Sequence, residues 1–174
     1  AWEEASRCLL CPEPRCVQGC PAHNNIPGFI RGLLDGDFER GVSVLRQTSN
    51  FPGICGRVCN KAEQCEGACI LNEEGGEPVS IGALERFLAD WELKEGRRTQ
   101  QAEAKQPATG QRVAIVGSGP SGLATAGDLA LAGHHVTVFE ALPVIGGALA
   151  WGVPTFRLPQ DLLQAEIDYL QALG

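Results

Sequence analysis

Eight cysteines fall between Cys8 and Cys69, and none follows them. They form two quartets. Cys8, Cys11, Cys16 and Cys20 stand at gaps of two, four and three residues with Pro21 directly after, and Cys55, Cys59, Cys65 and Cys69 at gaps of three, five and three. Thiolates in this number suit soft metal centres. Two 4Fe–4S clusters need eight ligand positions, and a three-residue gap closed by Cys-Pro repeats the end of a two-cluster ferredoxin run. Structural zinc asks for Cys pairs two to four residues apart with the pairs well separated, and only Cys8 and Cys11 form a tight CxxC here. An even count also reads as disulfides in a secreted chain, but this chain runs on into a nucleotide-binding motif typical of reduced compartments. The spacing favours iron–sulfur ligation over zinc and over disulfides. Taken alone it gives each quartet its own cluster.

The second constellation is Gly117-Ser118-Gly119-Pro120-Ser121-Gly122, a GxGxxG. The pattern is weak by itself. Here it follows an apolar strand, Arg112 to Val116, opens a helix from about Pro120 to Ala132, and leads to a second strand ending at Glu140, which is the context a dinucleotide fingerprint requires. Gly117 permits the tight turn, Gly119 lets backbone approach a pyrophosphate, and Gly122 lets helix and strand pack closely. The helix start offers free N–H groups and positive dipole to phosphates. Glu140 can accept ribose hydroxyls and would repel a 2′-phosphate, which favours FAD or NAD(H) over NADP(H) at this turn. Gly146 and Gly147, just beyond, suit the longer reach of FAD.

The elements that must position these groups are mainly helical at first. Residues 1–24 read as loop. A helix is expected from Pro27 with Ile26, Phe29, Ile30, Leu33 and Leu34 on its apolar side, and a second, capped by Asp37, through about Gln47. The second Cys quartet lies in another loop-rich stretch. Ser80 is a candidate cap for a third helix carrying Ile81, Leu84, Phe87, Leu88 and Trp91 at helical spacing. Residues 94–110 hold no large apolar side chain and read as a linker. Helix 120–132 ends at Gly133, a strand covers Val136 to Phe139, and an amphipathic helix runs from Pro159 to Leu173. The expected fold class is α + α/β: a mainly helical two-cluster domain over 1–93, the linker, and the start of a Rossmann-like FAD/NAD(P)-binding domain over 111–174.

Bulk properties exclude other classes. The formal charge of −7 comes without a Lys/Arg-rich block, so no basic nucleic-acid footprint is present. No apolar run reaches membrane-span length, and a cytoplasmic location is expected. The 174 residues contain no Met, which reads as an internal stretch of a longer protein. His23, His134 and His135 lack an evident partner base or carboxylate and are read as structural.

The residues CPAHNNIPGFI (Cys20 to Ile30), ICGRVC (Ile54 to Cys59), QCEGAC (Gln64 to Cys69), EPVSIGALERF (Glu77 to Phe87), VAIVGSGPSGLATAGDLA and GVPTFRLP (Gly152 to Pro159) resemble the small (β) subunit of bacterial glutamate synthase. They are similar also to the amino-terminal part of dihydropyrimidine dehydrogenase, to sulfide dehydrogenase and to the large subunit of NADH-dependent ferredoxin:NADP oxidoreductase. The resemblance implies an oxidoreductase subunit that passes electrons from NADPH through FAD and two 4Fe–4S clusters to a large catalytic subunit or a ferredoxin-type acceptor. The NADPH domain would lie beyond Gly174, so this stretch alone is expected to be inactive, and no catalytic acid–base residue is expected within it. The resemblance also crosses the ligand map. One cluster takes Cys8, Cys11, Cys16 and Cys69; the other takes Cys20, Cys59, Cys65 and Glu85, leaving Cys55 a spare thiol. Asn60, where these relatives usually carry Pro, and Thr155, where they usually carry an acid, depart from the pattern without removing a ligand.

Overall fold

The computed structural model describes residues 1–73, 75–95 and 105–173. The chain divides into two compact units, Ala1–Lys94 and Glu95–Gly174.

The first unit is helical. Its elements are α1 (Trp2–Ser6), α2 (Arg15–Gln18), α3 (Ile26–Leu34), α4 (Phe38–Arg46), α5 (Pro52–Val58), a 3-10 turn at Lys61–Glu63, α6 (Ile70–Glu73) and α7 (Ile81–Glu95). At its centre α3 and α4 form a hairpin. The Asn25 side chain accepts the Gly28 N–H at 3.0 Å, and Asp37 accepts the Arg40 N–H at 3.0 Å, so each helix start gains a partner for an otherwise orphaned donor. Ile26, Phe29, Ile30 and Leu33 of α3 meet Val42 and Leu45 of α4 and Ile81, Leu84 and Leu88 of α7 in one apolar core. The Phe38 ring packs edge-on against Phe87 and Trp91, with centroids 5.4 and 5.6 Å away.

The inner face of α7 is not wholly apolar. Glu85 and Glu92, two turns apart, are both buried. Glu92 takes the Arg46 guanidinium in a pair whose side chains are 3% and 1% exposed, and Arg46 also donates to the Asn50 carbonyl at 2.7 Å. This pair fixes α7 against the end of α4. The start of α7 is satisfied from a distance: the Glu66 carboxylate accepts the Gly82 N–H at 2.9 Å, and Glu4 accepts the Ser80 N–H at 2.7 Å.

Two expectations need correction here. Residues 1–24 contain two short helices, α1 and α2, and the second Cys quartet has Cys55 inside α5. Their brevity and their Pro, Gly and Cys content hide them from periodicity. Helix α7 also extends through Glu95, two residues into the expected linker. Residues 96–104 of that linker lie outside the described residues, and 105–110 are part of the second unit: the Gln106 N–H donates to the Leu131 carbonyl at 2.8 Å and the Thr109 N–H to the Gly133 carbonyl at 3.0 Å.

The second unit is a βαβ crossover with two added helices: β1 (Arg112–Val116), α8 (Pro120–Leu131), β2 (His135–Phe139), α9 (Ala148–Trp151) and α10 (Gln160–Ala172). The strands are parallel, with Arg112 opposite His135 and Val116 opposite Phe139. Alternate residues on both strands are shielded, the pattern of a sheet covered on one face. Helix α8 packs on both strands, and α10 packs on α8 and α9. His134 Nδ1 lies 2.7 Å from the Thr109 hydroxyl. Among the described residues no helix is long and apolar enough to cross a membrane.

Candidate functional site

In the first unit the fold sorts the sulfurs differently from their order in sequence. Cys8, Cys11, Cys16 and Cys69 line one cavity, walled by Ile26, Ile30, Val79 and Ile81. Burial pushes the Cys8 thiol up, with Cys11 and Cys69 adding to the effect, and pushes Cys16 to about 11, with Cys8 and Cys69 next in importance. Of the other sulfurs, Cys55, Cys59 and Cys65 interact with Glu85, and Cys20 interacts with Cys65. Burial raises Cys65 to about 12, followed by Glu66, Cys20 and Glu85, while burial and then Cys59 raise Glu85 to about 8. The thiol of Cys55 is raised by its hydrogen bond to Cys59, then by burial. The same bond lowers Cys59 to about 6, with Lys61 also favouring the thiolate.

Close backbone approaches produce this sorting. A Cβ on Gly19 would lie 2.8 Å from the Ala68 Cβ, so the turn before Cys20 sits directly on the loop before Cys69. A Cβ on Gly56 would lie 2.7 Å from the Arg86 nitrogen, which brings the Cys55–Cys59 segment against α7 at Glu85. The two loops interleave, and the groups cross the quartets.

The donor set fits iron–sulfur clusters on its chemistry. Each group packs several acids into a poorly hydrated space where every ionisation opposes the next. A bound polycation removes that conflict, because a coordinating thiol is deprotonated outright. Among the described residues no three His, Cys, Asp or Glu side chains close around a single metal ion. A cubane divides its four ligands among four irons, so its donors stand further apart than those of a mononuclear centre.

Glu85 is buried beside a buried Asn24, whose side chain reaches the exposed Thr48. Thr48 Oγ1 donates to Asn24 Oδ1 at 2.5 Å, and Asn24 Nδ2 lies 3.5 Å from Glu85 Oε1. Sequence reading misses Asn24, Thr48, Lys61 and Glu66. Asn24 lies within the CPAHNNIPGFI stretch, but no pairing rule links it to a helix sixty residues later.

In the second unit the GxGxxG forms the turn from β1 into α8. Gly117 has φ +96°, and a Cβ at Gly117 or Gly119 would meet nothing within 4 Å, so this backbone faces open space. A Cβ on Gly122 would collide with the Gly117 carbonyl oxygen at 2.1 Å, the close helix–strand contact assigned to that glycine. Helix α8 begins with Pro120, and Ser121 and Gly122 occupy its first turn. The turn therefore has the open backbone and helix N-terminus that fit a pyrophosphate.

Glu140, at the end of β2, accepts the Ser118 N–H at 2.9 Å, the Ser118 hydroxyl at 2.5 Å and the Leu142 N–H at 2.8 Å. These bonds, the Ser118 hydroxyl foremost, hold its carboxyl down to about 2. It is an ionised acceptor with lone pairs to spare for ribose hydroxyls. Ser118, fully buried, is the hub: its oxygen also accepts the Gly146 N–H at 3.1 Å. Gly147 packs on the turn itself, since its Cβ would stand 2.7 Å from the Gly119 Cα. Gly146 and Gly147 thus brace the phosphate turn from behind. The fingerprint treats Ser118 as a variable position and gives no signal of its role.

A family model described as "Dihydroprymidine dehydrogenase domain II, 4Fe-4S cluster" matches residues 1–97, and one described as "NAD(P)-binding Rossmann-like domain" matches residues 115–162. The chain is 42% identical to the NADP(+)-dependent formate dehydrogenase subunit beta of Moorella thermoacetica over 91% of its length. It is 39% identical over its full length to the glutamate synthase (NADPH) small chain of Escherichia coli (strain K12), and 38% identical, again over its full length, to the NAD-dependent dihydropyrimidine dehydrogenase subunit PreT of the same organism. It spans 25%, 36% and 41% of those three relatives.

Proposed function

The chain belongs to the family of 4Fe–4S domains represented by domain II of dihydropyrimidine dehydrogenase and by the glutamate synthase small chain, and from that premise we propose that it is the flavin and iron–sulfur electron-transfer part of an NADPH-dependent glutamate synthase. The observation that carries this reading is the pairing of two crossed donor groups in one unit with an open GxGxxG turn in the other. Cys8, Cys11, Cys16 and Cys69 hold one cluster. Cys20, Cys59, Cys65 and Glu85 hold the second, and Cys55 is a spare thiol. FAD lies on Gly117 to Gly122 with its ribose on Glu140. NADPH binds in a part of the protein outside this sequence, and the electrons leave to a large catalytic subunit in the cytoplasm.

When bound, these groups supply the redox chemistry: the flavin converts hydride into single electrons and the clusters carry them. The protein's own residues hold and shield. Ile26, Ile30, Val79 and Ile81 keep water from the first thiol group. The start of α8 balances pyrophosphate charge, and the carboxylate of Glu140 repels a 2′-phosphate. No side chain of this stretch is assigned an acid–base step.

A second reading keeps the module and changes the acceptor. The 42% identity to a formate dehydrogenase subunit exceeds the 39% to glutamate synthase, and the 38% to a dihydropyrimidine dehydrogenase subunit is close to it. The test is anaerobic purification of the full-length protein. The expected material is brown, with about eight irons per chain and extractable FAD. Its NADPH oxidation should depend on glutamine and 2-oxoglutarate once the large subunit is added. Flavin and iron with turnover only on another acceptor would select the second reading. Colourless protein with stoichiometric zinc would reject both.

A further inference from the structure

We propose that Asn24, anchored by Thr48, is a positioning residue that aims the Glu85 carboxylate at the Cys20, Cys59 and Cys65 group; this rests on the reading of Glu85 as a ligand. Asn24 and Glu85 are only 5% and 7% exposed, so water does not set their orientation. The Asn24 amide could sit either way round; the acceptor-only Glu85 carboxylate draws its NH2 end, and Thr48, which can donate or accept, holds the other end. Its hydroxyl donates to Asn24 Oδ1 at 2.5 Å, which leaves the NH2 end toward Glu85 Oε1 at 3.5 Å. The flipped amide would set two acceptor oxygens face to face in a dry space, an unpaired arrangement with a desolvation penalty.

At 3.5 Å the Asn24–Glu85 contact is long for a hydrogen bond. Its effect is directional: it selects which carboxylate oxygen is held by the protein. The three residues come from three places, the turn after Cys20, the end of α4 and α7. Asn24 also has a backbone role, because its carbonyl accepts the Ile26 N–H at 2.8 Å. Any residue at this position could make that backbone bond, so it does not account for the side chain. The side-chain relay from Thr48 to Glu85 is additional, and partners of this kind orient metal ligands and tune the centre they serve.

The relay has a measurable consequence. A carboxylate that accepts a hydrogen bond gives less electron density to iron, so removing the donor lowers the potential of that cluster. The experiment is a redox titration of the full-length holoprotein followed by EPR, with the other cluster as internal reference. Asn24→Leu and Thr48→Val should each lower the midpoint potential of one cluster, leave the other in place and retain full iron. Thr48→Ser, which keeps the hydroxyl, should restore the wild-type value. Unmoved potentials in Asn24→Leu and Thr48→Val, or equal shifts of both clusters, would overturn the positioning role. Glu85→Ala, measured alongside, separates the two claims. Full iron and unaltered EPR there would reject Glu85 as a ligand and the positioning role with it. Altered iron or EPR there, with the Asn24 and Thr48 variants silent, would reject the positioning role alone.

Discussion

Gly19 and Ala68 are in contact so tight that a methyl group on the glycine would lie 2.8 Å from the alanine Cβ and 2.9 Å from the Gln64 carbonyl oxygen. Gly19 precedes Cys20 and Ala68 precedes Cys69, so one contact aligns a donor of each group. Gly19→Ala removes no ligand yet must part the loops. Forced overpacking of this kind costs about 1–3 kcal/mol. Iron analysis of the variant should show loss from both groups, and its denaturation midpoint should fall. Full iron with an unchanged midpoint would contradict the interleaved arrangement.

Cys8→Ser and Cys69→Ser should abolish the same EPR signal, although the two residues belong to different quartets in sequence. Cys55→Ser should leave both signals and the iron content in place. Separate quartet clusters would give the opposite pattern, with Cys8 and Cys69 affecting different signals and Cys55→Ser losing iron.

The Arg46–Glu92 pair is almost fully buried, so removing one partner strands a charge. Glu92→Gln should lower stability by about 3–5 kcal/mol in urea denaturation. The double replacement Arg46→Met with Glu92→Leu should recover most of that loss, because it removes both charges and keeps the volume. If the single variant were neutral, the pair would not be what holds α7 to α4.

The ionisation of Glu140 has a defined sign. Hydrogen bonds depress its folded value to about 2 from 4.5. Its contribution to stability is present above the unfolded value and is lost as pH falls through that window toward the folded one. Metal-free protein should therefore lose melting temperature between those limits by circular dichroism. Glu140→Gln should flatten the dependence there, and in the intact protein it should weaken flavin retention. A variant with the wild-type pH profile would show that the Ser118 and Leu142 bonds carry no stability.

Much of this was legible in the residues, and the boundary is physical. Periodicity and start signals placed α3, α4 and α7, since Pro27, Asp37 or Ser80 at the head of an apolar stripe is a local signal. The GxGxxG placed β1, α8 and β2 for the same reason. Spacing named the sulfurs as candidate donors and gave each quartet its own cluster; the contacts of Gly19 with Ala68 and of Gly56 with Arg86 join segments far apart in sequence and leave no mark on that spacing. The crossed map comes only from the family resemblance. Asn24 and Thr48 were invisible, and Ser118 reads only as part of the nucleotide turn, because their importance lies in the hydrogen bonds they complete, and those partners are assembled by tertiary packing.

With Cys20 and Cys59 on one cluster, the segment between them, with α3, α4 and half of the buried core cluster, would be a ring closed at its ends. A fastening across so long a loop removes much of the freedom of the open chain. If iron forms that fastening, oxygen damage to the cluster that Cys20 and Cys59 share opens the ring, and the helical unit becomes newly accessible to proteases. Survival of the polypeptide would then track the condition of its metal, which lets a cell discard damaged carriers without a dedicated sensor.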